Sequence, residues 1–145
     1  MRCREVMRKD VAVCQEGDTV ADCAQLMRDR KIGFVPVVDG GGQVSGIVTD
    51  RDLAVRVVAE KRGTGTPVSV IMTRDVRVCH PWDSLRAAER RMAEVRKSRL
   101  VVVDEDGRAV GVISLSDVAQ SDTRALAGHV LYEITRREAA PPPPA

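Results

Sequence analysis

The chain has 145 residues, 43% hydrophobic and 30% charged, enough to bury one core or two small ones and unlike a disordered composition. A net charge of +2 with both signs interspersed provides no basic stripe for nucleic acid or an anionic membrane. The three aromatics, Phe34, Trp82 and Tyr132, make no stacking platform for single strands. No apolar run approaches the ~18 residues of a membrane span, and Met1-Arg2-Cys3-Arg4-Glu5 lacks the apolar core of a secretory signal, so a cytoplasmic location is expected.

From Val6 onward the chain reads as a unit that is used twice. A short apolar strand, Val11-Ala12-Val13, leads to a polar turn, and Asp18-Thr19 supplies a helix N-cap. Val20, Ala24 and Met27 then fall at helical spacing. The run Phe34-Val35-Pro36-Val37-Val38 predicts a buried strand, closed by Asp39 and a glycine turn at Gly40-Gly41-Gly42. A second strand over Val44 to Val48 completes a hairpin and runs into a helix beginning near Thr49. Lys61 to Pro67 reads as a connection, and at an offset of 65 residues the pattern returns without a gap.

Val6 to Ala54 aligns with Ile71 to Ala119, with 14 identities in 49 positions. Ordinary residue usage predicts roughly 6–7%, so the duplication is real. In the second copy the strands are Val76-Arg77-Val78, Leu100 to Val103 and Ala109 to Ile113. Asp83-Ser84 caps a helix carrying Leu85, Ala88 and Met92, and a last helix begins near Ser114. Glu89, Arg90, Arg91 and Glu94 read as a solvated helix face. Ala125 to Arg137 reads as a closing helix whose apolar face, Leu126, Val130, Leu131 and Ile134, completes the core or pairs with another subunit. The expected fold is α+β: two tandem β-α-β-β-α repeats about a pseudo-two-fold axis. The expected boundaries are a first repeat over 1–62, a linker over 63–69, a second repeat over 70–124, a helix over 125–138 and a disordered proline-rich tail over 139–145.

The most pointed local pattern is Gly46-Ile47-Val48-Thr49-Asp50-Arg51-Asp52, echoed by Gly111-Val112-Ile113-Ser114-Leu115-Ser116-Asp117. Thr-x-x-Asp and Ser-x-x-Asp have the spacing of a helix capping box. The same junction presents free N–H groups and a positive dipole end that suit a phosphate, beside a carboxylate able to accept from ribose hydroxyls. Spacing leaves both readings open. Cys3, Cys14, Cys23 and Cys79 form no C-x-x-C pair. Cys14 and Cys79 are equivalent in the repeat and read as buried inert thiols or as a redox pair across the two-fold. With Cys79-His80 adjacent and His129 far along the chain, no metal constellation is expected. Enzymatic activity is not expected either, because no base–nucleophile pair or lysine-bearing glycine loop is present.

Taken jointly, Val-Met-Arg-Lys-Asp-Val (6–11), Ile-Met-Thr-Arg-Asp-Val (71–76), Gly33 to Asp39 and Gly46 to Leu53 resemble a pair of CBS domains, the Bateman module, over about residues 3 to 124. The likeness is to the small stand-alone bacterial CBS-pair proteins. The resemblance implies a sensor or regulatory module, not an enzyme, that binds AMP, ADP, ATP, S-adenosylmethionine or a dinucleotide in clefts between the repeats. It assigns Thr49 and Asp52 to one cleft and Ser114 and Asp117 to the other, each Asp holding the ribose. Asp52 would then face Arg77, Val78, Arg99 and Leu100, and Asp117 would face Ala12, Val13, Phe34 and Val35. Val13 and Val78 stand where the family's first strand often carries a hydroxyl, and Val101 where proline is usual. Arg99 and Arg51 are expected at the mouth of the Asp52 cleft, as phosphate ligands or as plain surface charge. Phe34 stacks on adenine or fills core. The alternatives carried are a ligand-free dimeric scaffold and a thiol switch through Cys14 and Cys79. A homodimer and an unidentified target protein are the expected partners.

Overall fold

The computed structural model describes residues 1–121 and 124–138; the tail expected to be disordered over 139–145 lies outside the described residues. The elements are α1 (Cys3–Val6), β1 (Cys14–Gln15), α2 (Val20–Arg30), β2 (Phe34–Val38), β3 (Val44–Thr49) and α3 (Asp50–Asp52), the last continued as a π-helix over Leu53–Val58. Then follow α4 (Val68–Ile71), β4 (Val78–Cys79), α5 (Leu85–Val95), β5 (Arg99–Val103), β6 (Ala109–Ser114), α6 (Leu115–Gln120) and α7 (Arg124–Glu138). Two three-stranded sheets result, ordered β1-β2-β3 and β4-β5-β6. The fold is α+β, with the same element series in both repeats.

The elements form two compact units. The first holds Asp10–Val76 and Asp104–Ala109; the second holds Met1–Lys9, Arg77–Val103 and the described residues from Val110 onward. Each unit is a repeat body completed by the lead-in segment of the other repeat. In the first unit, Ile47 and Thr73 exchange backbone hydrogen bonds of 2.9 and 2.8 Å, placing the segment after α4 against β3. In the second, Arg8 and Val112 do the same at 2.9 and 3.0 Å, placing the segment after α1 against β6. Met72 and Met7 lie over Gly46 and Gly111 so closely that a Cβ on either glycine would stand 2.5 Å from a methionine sulfur.

The helix starts follow the expected chemistry. Thr19 caps α2 and accepts from Asp22 N–H at 3.1 Å, while Asp22 accepts from Thr19 N–H at 3.0 Å. Hydrogen bonds donated to its carboxylate by the Thr19 backbone and then by the Thr19 hydroxyl hold Asp22 below the usual carboxyl range. Ser84 caps α5 by accepting from Ala87 N–H. Both helices end on a left-handed residue, Lys31 and Arg96. Behind them lie two cores. Cys14, Val20, Cys23, Met27, Val35, Val37 and Val48 with Val68, Ile71 and Met72 fill the first unit. Cys3, Cys79, Leu85, Ala88, Met92, Leu100 and Ile113 with Val130 and Ile134 of α7 fill the second.

Four expectations are corrected. The first strand of each repeat is shorter and later than Val11–Val13 and Val76–Val78, because parallel pairing is confined to Cys14 and Gln15 with Val37 and Val38, and to Val78 and Cys79 with Val101 and Val102. On α2 the buried position is Cys23 rather than Ala24, which is exposed. On α5 Arg90 and Glu94 are exposed, but Glu89 is fully buried. The helix expected near Thr49 becomes a π-helix after one turn, with Ala59 N–H bonding Ala54 O. The closing helix forms, and Val130 and Ile134 join the second unit's core while Leu131 stays exposed.

Gly46→Ala and Gly111→Ala force the methionine away from its seat. Overpacking of this kind costs ~1–3 kcal/mol, and a chain of this size loses about 2–4 °C of melting midpoint per kcal/mol. Each variant should melt lower by that amount in calorimetry. Pairing it with Met72→Ala or Met7→Ala respectively, which vacates the space, should give a smaller combined loss than the sum of the two single losses.

Candidate functional site

Each unit contains one strand-to-helix junction with a hydroxyl and a carboxylate. In the first unit β3 ends at Thr49, whose N–H donates to Asp52 Oδ2 at 2.9 Å while Asp52 N–H donates to Thr49 Oγ1 at 3.1 Å. This is a complete capping box. It uses only one carboxylate oxygen. The other, Oδ1, has the Arg56 guanidinium at 3.8 Å, and the Asp52 side chain is 15% exposed. Arg56 is held in turn by Nη1 donating to the Ile71 carbonyl at 2.9 Å.

The second unit repeats the arrangement more tightly. Ser114 N–H donates to Asp117 Oδ2 at 2.9 Å, and Asp117 N–H donates to Ser114 Oγ at 3.2 Å. The Ser114 hydroxyl donates to Asp117 Oδ2 at 2.6 Å. Its single proton is thereby used, so in the 2.8 Å contact between Ser114 Oγ and Ser116 Oγ, Ser116 is the donor. Asp117 Oδ1 takes the Arg8 Nε at 3.3 Å, and its side chain is 11% exposed against 72% for Arg8. Both junctions therefore share one layout. One carboxylate oxygen is committed to the backbone, and the other faces a guanidinium that solvent reaches and screens, half-exposed at Arg56 and largely exposed at Arg8.

The structure brings together Thr49 with Asp52, and Ser114 with Asp117. It places Arg51 at the first junction, exposed, with its N–H on Asp50 Oδ1 at 2.9 Å. Phe34 is half-buried and is the direct β2–β3 partner of Thr49. Val13 is exposed, Ala12 half-buried and Val35 fully buried in the first unit's core. In the second unit Arg77 and Arg99 are exposed, Val78 is half-buried with its carbonyl accepting from Arg91 Nη1, and Leu100 is fully buried in the core. Val35 and Leu100 thus present almost no surface to a ligand in this structure.

Two site residues escaped the sequence reading. Arg56 lies four residues after Asp52, a spacing at which an Asp–Arg pair meets on a helix, so a signal was present. Arg8 lies 109 residues before Asp117, and only the pairing of Arg8 with Val112 brings it there. The four thiols are free and buried, as the first of the two readings of Cys14 and Cys79 expected. The Cys14 thiol meets Cys23, and the Cys79 thiol meets Cys3, each within its own unit. Hydrogen bonding to the partner thiol, then burial, pushes Cys23 and Cys79 above the ordinary thiol range. Among the described residues no group of three or more His, Cys, Asp or Glu side chains is placed to hold a metal. Among them also, no helix is long and apolar enough to cross a membrane.

The repeated element series and the paired junctions coincide with a known domain. The CBS domain profile matches residues 3–59 and again residues 68–122. The chain belongs to the CBS-domain family. It is 33% identical over 135 residues to the CBS domain-containing protein YhcV of Bacillus subtilis, covering 92% of this chain and 95% of that protein. It is 34% identical over 115 residues to a homoserine O-acetyltransferase of Methanohalophilus mahii, but spans only 23% of that enzyme. Among solved structures, a putative signal-transduction protein with CBS domains from Burkholderia ambifaria superposes with a TM-score of 0.74 at 32% identity, over 86% of this chain and 95% of that one. The CBS domain protein PAE2072 from Pyrobaculum aerophilum, complexed with AMP, superposes at 0.75 and 22% identity over 94% and 99%. The CBS pair of MJ0100, complexed with 5′-methylthioadenosine and S-adenosyl-L-methionine, does so at 0.74 and 23% over 83% and 94%. The last two likenesses concern the fold.

The two caps differ in a measurable way. Thr49→Ala removes one cap acceptor, at about 1 kcal/mol. Ser114→Ala also strips a partner from part-buried Asp117 and from Ser116, so it should lose ~1–3 kcal/mol. Urea midpoints should order the variants wild type, Thr49→Ala, Ser114→Ala from most to least stable.

Proposed function

We propose that the chain is a regulatory module that binds an adenosine-containing ligand (AMP, ADP, ATP or S-adenosylmethionine) at its two capped junctions, and that it is not itself an enzyme. The observation that carries this reading is the spare oxygen of each junction carboxylate. Among the described residues, Oδ1 of Asp52 meets the half-exposed Arg56 and Oδ1 of Asp117 the largely exposed Arg8. Vicinal ribose hydroxyls are two donors that suit a carboxylate whose position the backbone already holds. As they engage Oδ1, the guanidinium of Arg56 or Arg8 is released to a phosphate, with which it makes charge-assisted bonds. Thr49 and Ser114 stand at helix starts, where anions are favoured. The AMP and S-adenosyl-L-methionine complexes of structurally similar CBS pairs support the ligand class.

In this proposal Asp52 is served by Arg77, Val78, Arg99 and Leu100 across a cleft with Arg51 at its mouth, and Asp117 by Ala12, Val13, Phe34 and Val35. The module acts as a homodimer in the cytoplasm on a target protein, and ligand acts by binding one of its arrangements more tightly than another. A second reading, a dimeric scaffold without ligand, draws on the completeness of the two caps: each Asp already has both oxygens within reach of a donor.

Thermal melting against AMP, ADP, ATP and S-adenosylmethionine separates the readings. Ligand at about a thousand times its Kd should add roughly 4 kcal/mol per site, or about 8–16 °C at 2–4 °C per kcal/mol. Asp52→Ala or Asp117→Ala should abolish the rise at its own junction while the apo protein stays folded. Flat curves across the panel would favour the scaffold.

A further inference from the structure

The C-terminal helix makes the two units unequal. α2 and α5 are equivalent helices of the repeat, and their buried positions agree at Val20 and Leu85, Cys23 and Ala88, and Met27 and Met92. They part at two places. Ala24 and Arg28 are exposed on α2, whereas their counterparts Glu89 and Ala93 are buried on α5. Glu89 and Ala93 are four residues apart, and therefore on one stripe of the helix. The same stripe continues to Arg96, which pairs with Glu133 of α7 at 3.9 Å. α7 packs along α5 and has no counterpart in the first unit. It follows that α7 covers this stripe, anchored by Val130 and Ile134.

Beneath that cover Glu89 has 0% exposure, and neither carboxylate oxygen has a hydrogen-bond partner among the described residues. A carboxyl group removed from water without partners opposes the burial that encloses it. Lifting α7 returns Glu89 to solvent at a position where the repeat elsewhere carries an exposed residue. The opposing terms are the apolar burial of Val130 and Ile134, the packing of α7 against α6 and a half-exposed ion pair of small worth. The remaining inward face of α5, through Leu85, Ala88 and Met92, packs as α2 packs without any such helix.

We propose that α7 is a displaceable strap on the second unit, docked over the Glu89–Ala93 stripe of α5 and released from it while the rest of the unit stays folded. Docked, it hides that stripe. Released, it presents α5's Glu89, Ala93 and Arg96 to solvent as one helix face. The buried carboxyl group keeps the two states close in free energy, which is what a regulated strap requires. This inference is independent of any nucleotide at the junctions.

Amide hydrogen exchange of the full chain tests it, comparing wild type with E89L and E89Q. In the wild type the α7 amides from Gly128 to Arg136 should exchange faster than those of α5 and β5, which reports local release. E89L replaces the unpaired group with an apolar one and should slow α7 exchange by about tenfold or more, with β2 and β3 unchanged. E89Q keeps unpaired polar atoms and should stay near wild type. Equal protection of α7 and α5 in the wild type would overturn the proposal, as would α7 exchange unaltered or quickened by E89L. Loss of the fold in E89L would overturn it too, because it would mean that Glu89 is needed where it lies.

Discussion

Neither repeat closes its own core. The segment that leads into each copy leaves its own repeat and packs against the last strand of the other: Met72 over Gly46 with Thr73 on Ile47, and Met7 over Gly111 with Arg8 on Val112. The contact works only because both strand positions lack a Cβ. With a side chain there the methionine loses its seat, and the short α1 and α4 helices, through Cys3, Val68 and Ile71, lose their hold on the cores. With only two paired residues in its first strand, each sheet is little more than a hairpin, which is marginal alone and needs apolar packing against its face. The exchange of segments supplies the apolar surface that they lack.

The junctions inherit their chemistry from that exchange. Asp117 receives Arg8 only because Arg8 is carried in on the exchanged segment beside Val112. Asp52 has no such visitor, since Thr73 occupies the equivalent place, and it takes Arg56 from its own helix instead. Two carboxylates related by the repeat thus meet guanidinium groups of different origin, one tertiary and one local. The resulting pairs differ in length, 3.3 against 3.8 Å. The hydroxyls differ as well. Ser114 is drawn into a chain through Ser116 and Asp117, whereas at Thr49 the hydroxyl accepts one backbone bond. The paired junctions are alike in plan and unlike in electrostatics.

α7 adds a second asymmetry. It extends one core with Val130 and Ile134 and leaves Leu131 and Tyr132 exposed on its outer side. In doing so it encloses Glu89, a residue whose charge and neighbours in sequence read as surface. Glu89, Arg90, Arg91 and Glu94 are all charged and lie outside the apolar face of Leu85, Ala88 and Met92, so periodicity cannot say which of them a later helix will cover.

The duplication, the α+β element series, the four helix caps at Thr19, Thr49, Ser84 and Ser114, and the pairing of each junction hydroxyl with its carboxylate were all legible in the chain. Apart from the duplication, which alignment of the chain with itself reveals, each depends on residues a few positions apart, where spacing and geometry are the same thing. The family followed from the same motifs, because they occur jointly and twice. Tertiary structure alone decided what depends on distant segments. It set Arg8 on Asp117, met Cys14 with Cys23 and Cys79 with Cys3, shortened the first strands to their paired residues and buried Glu89 under α7. In each case two stretches far apart in sequence compete for one surface, and packing, which no local pattern encodes, determines which of them arrives.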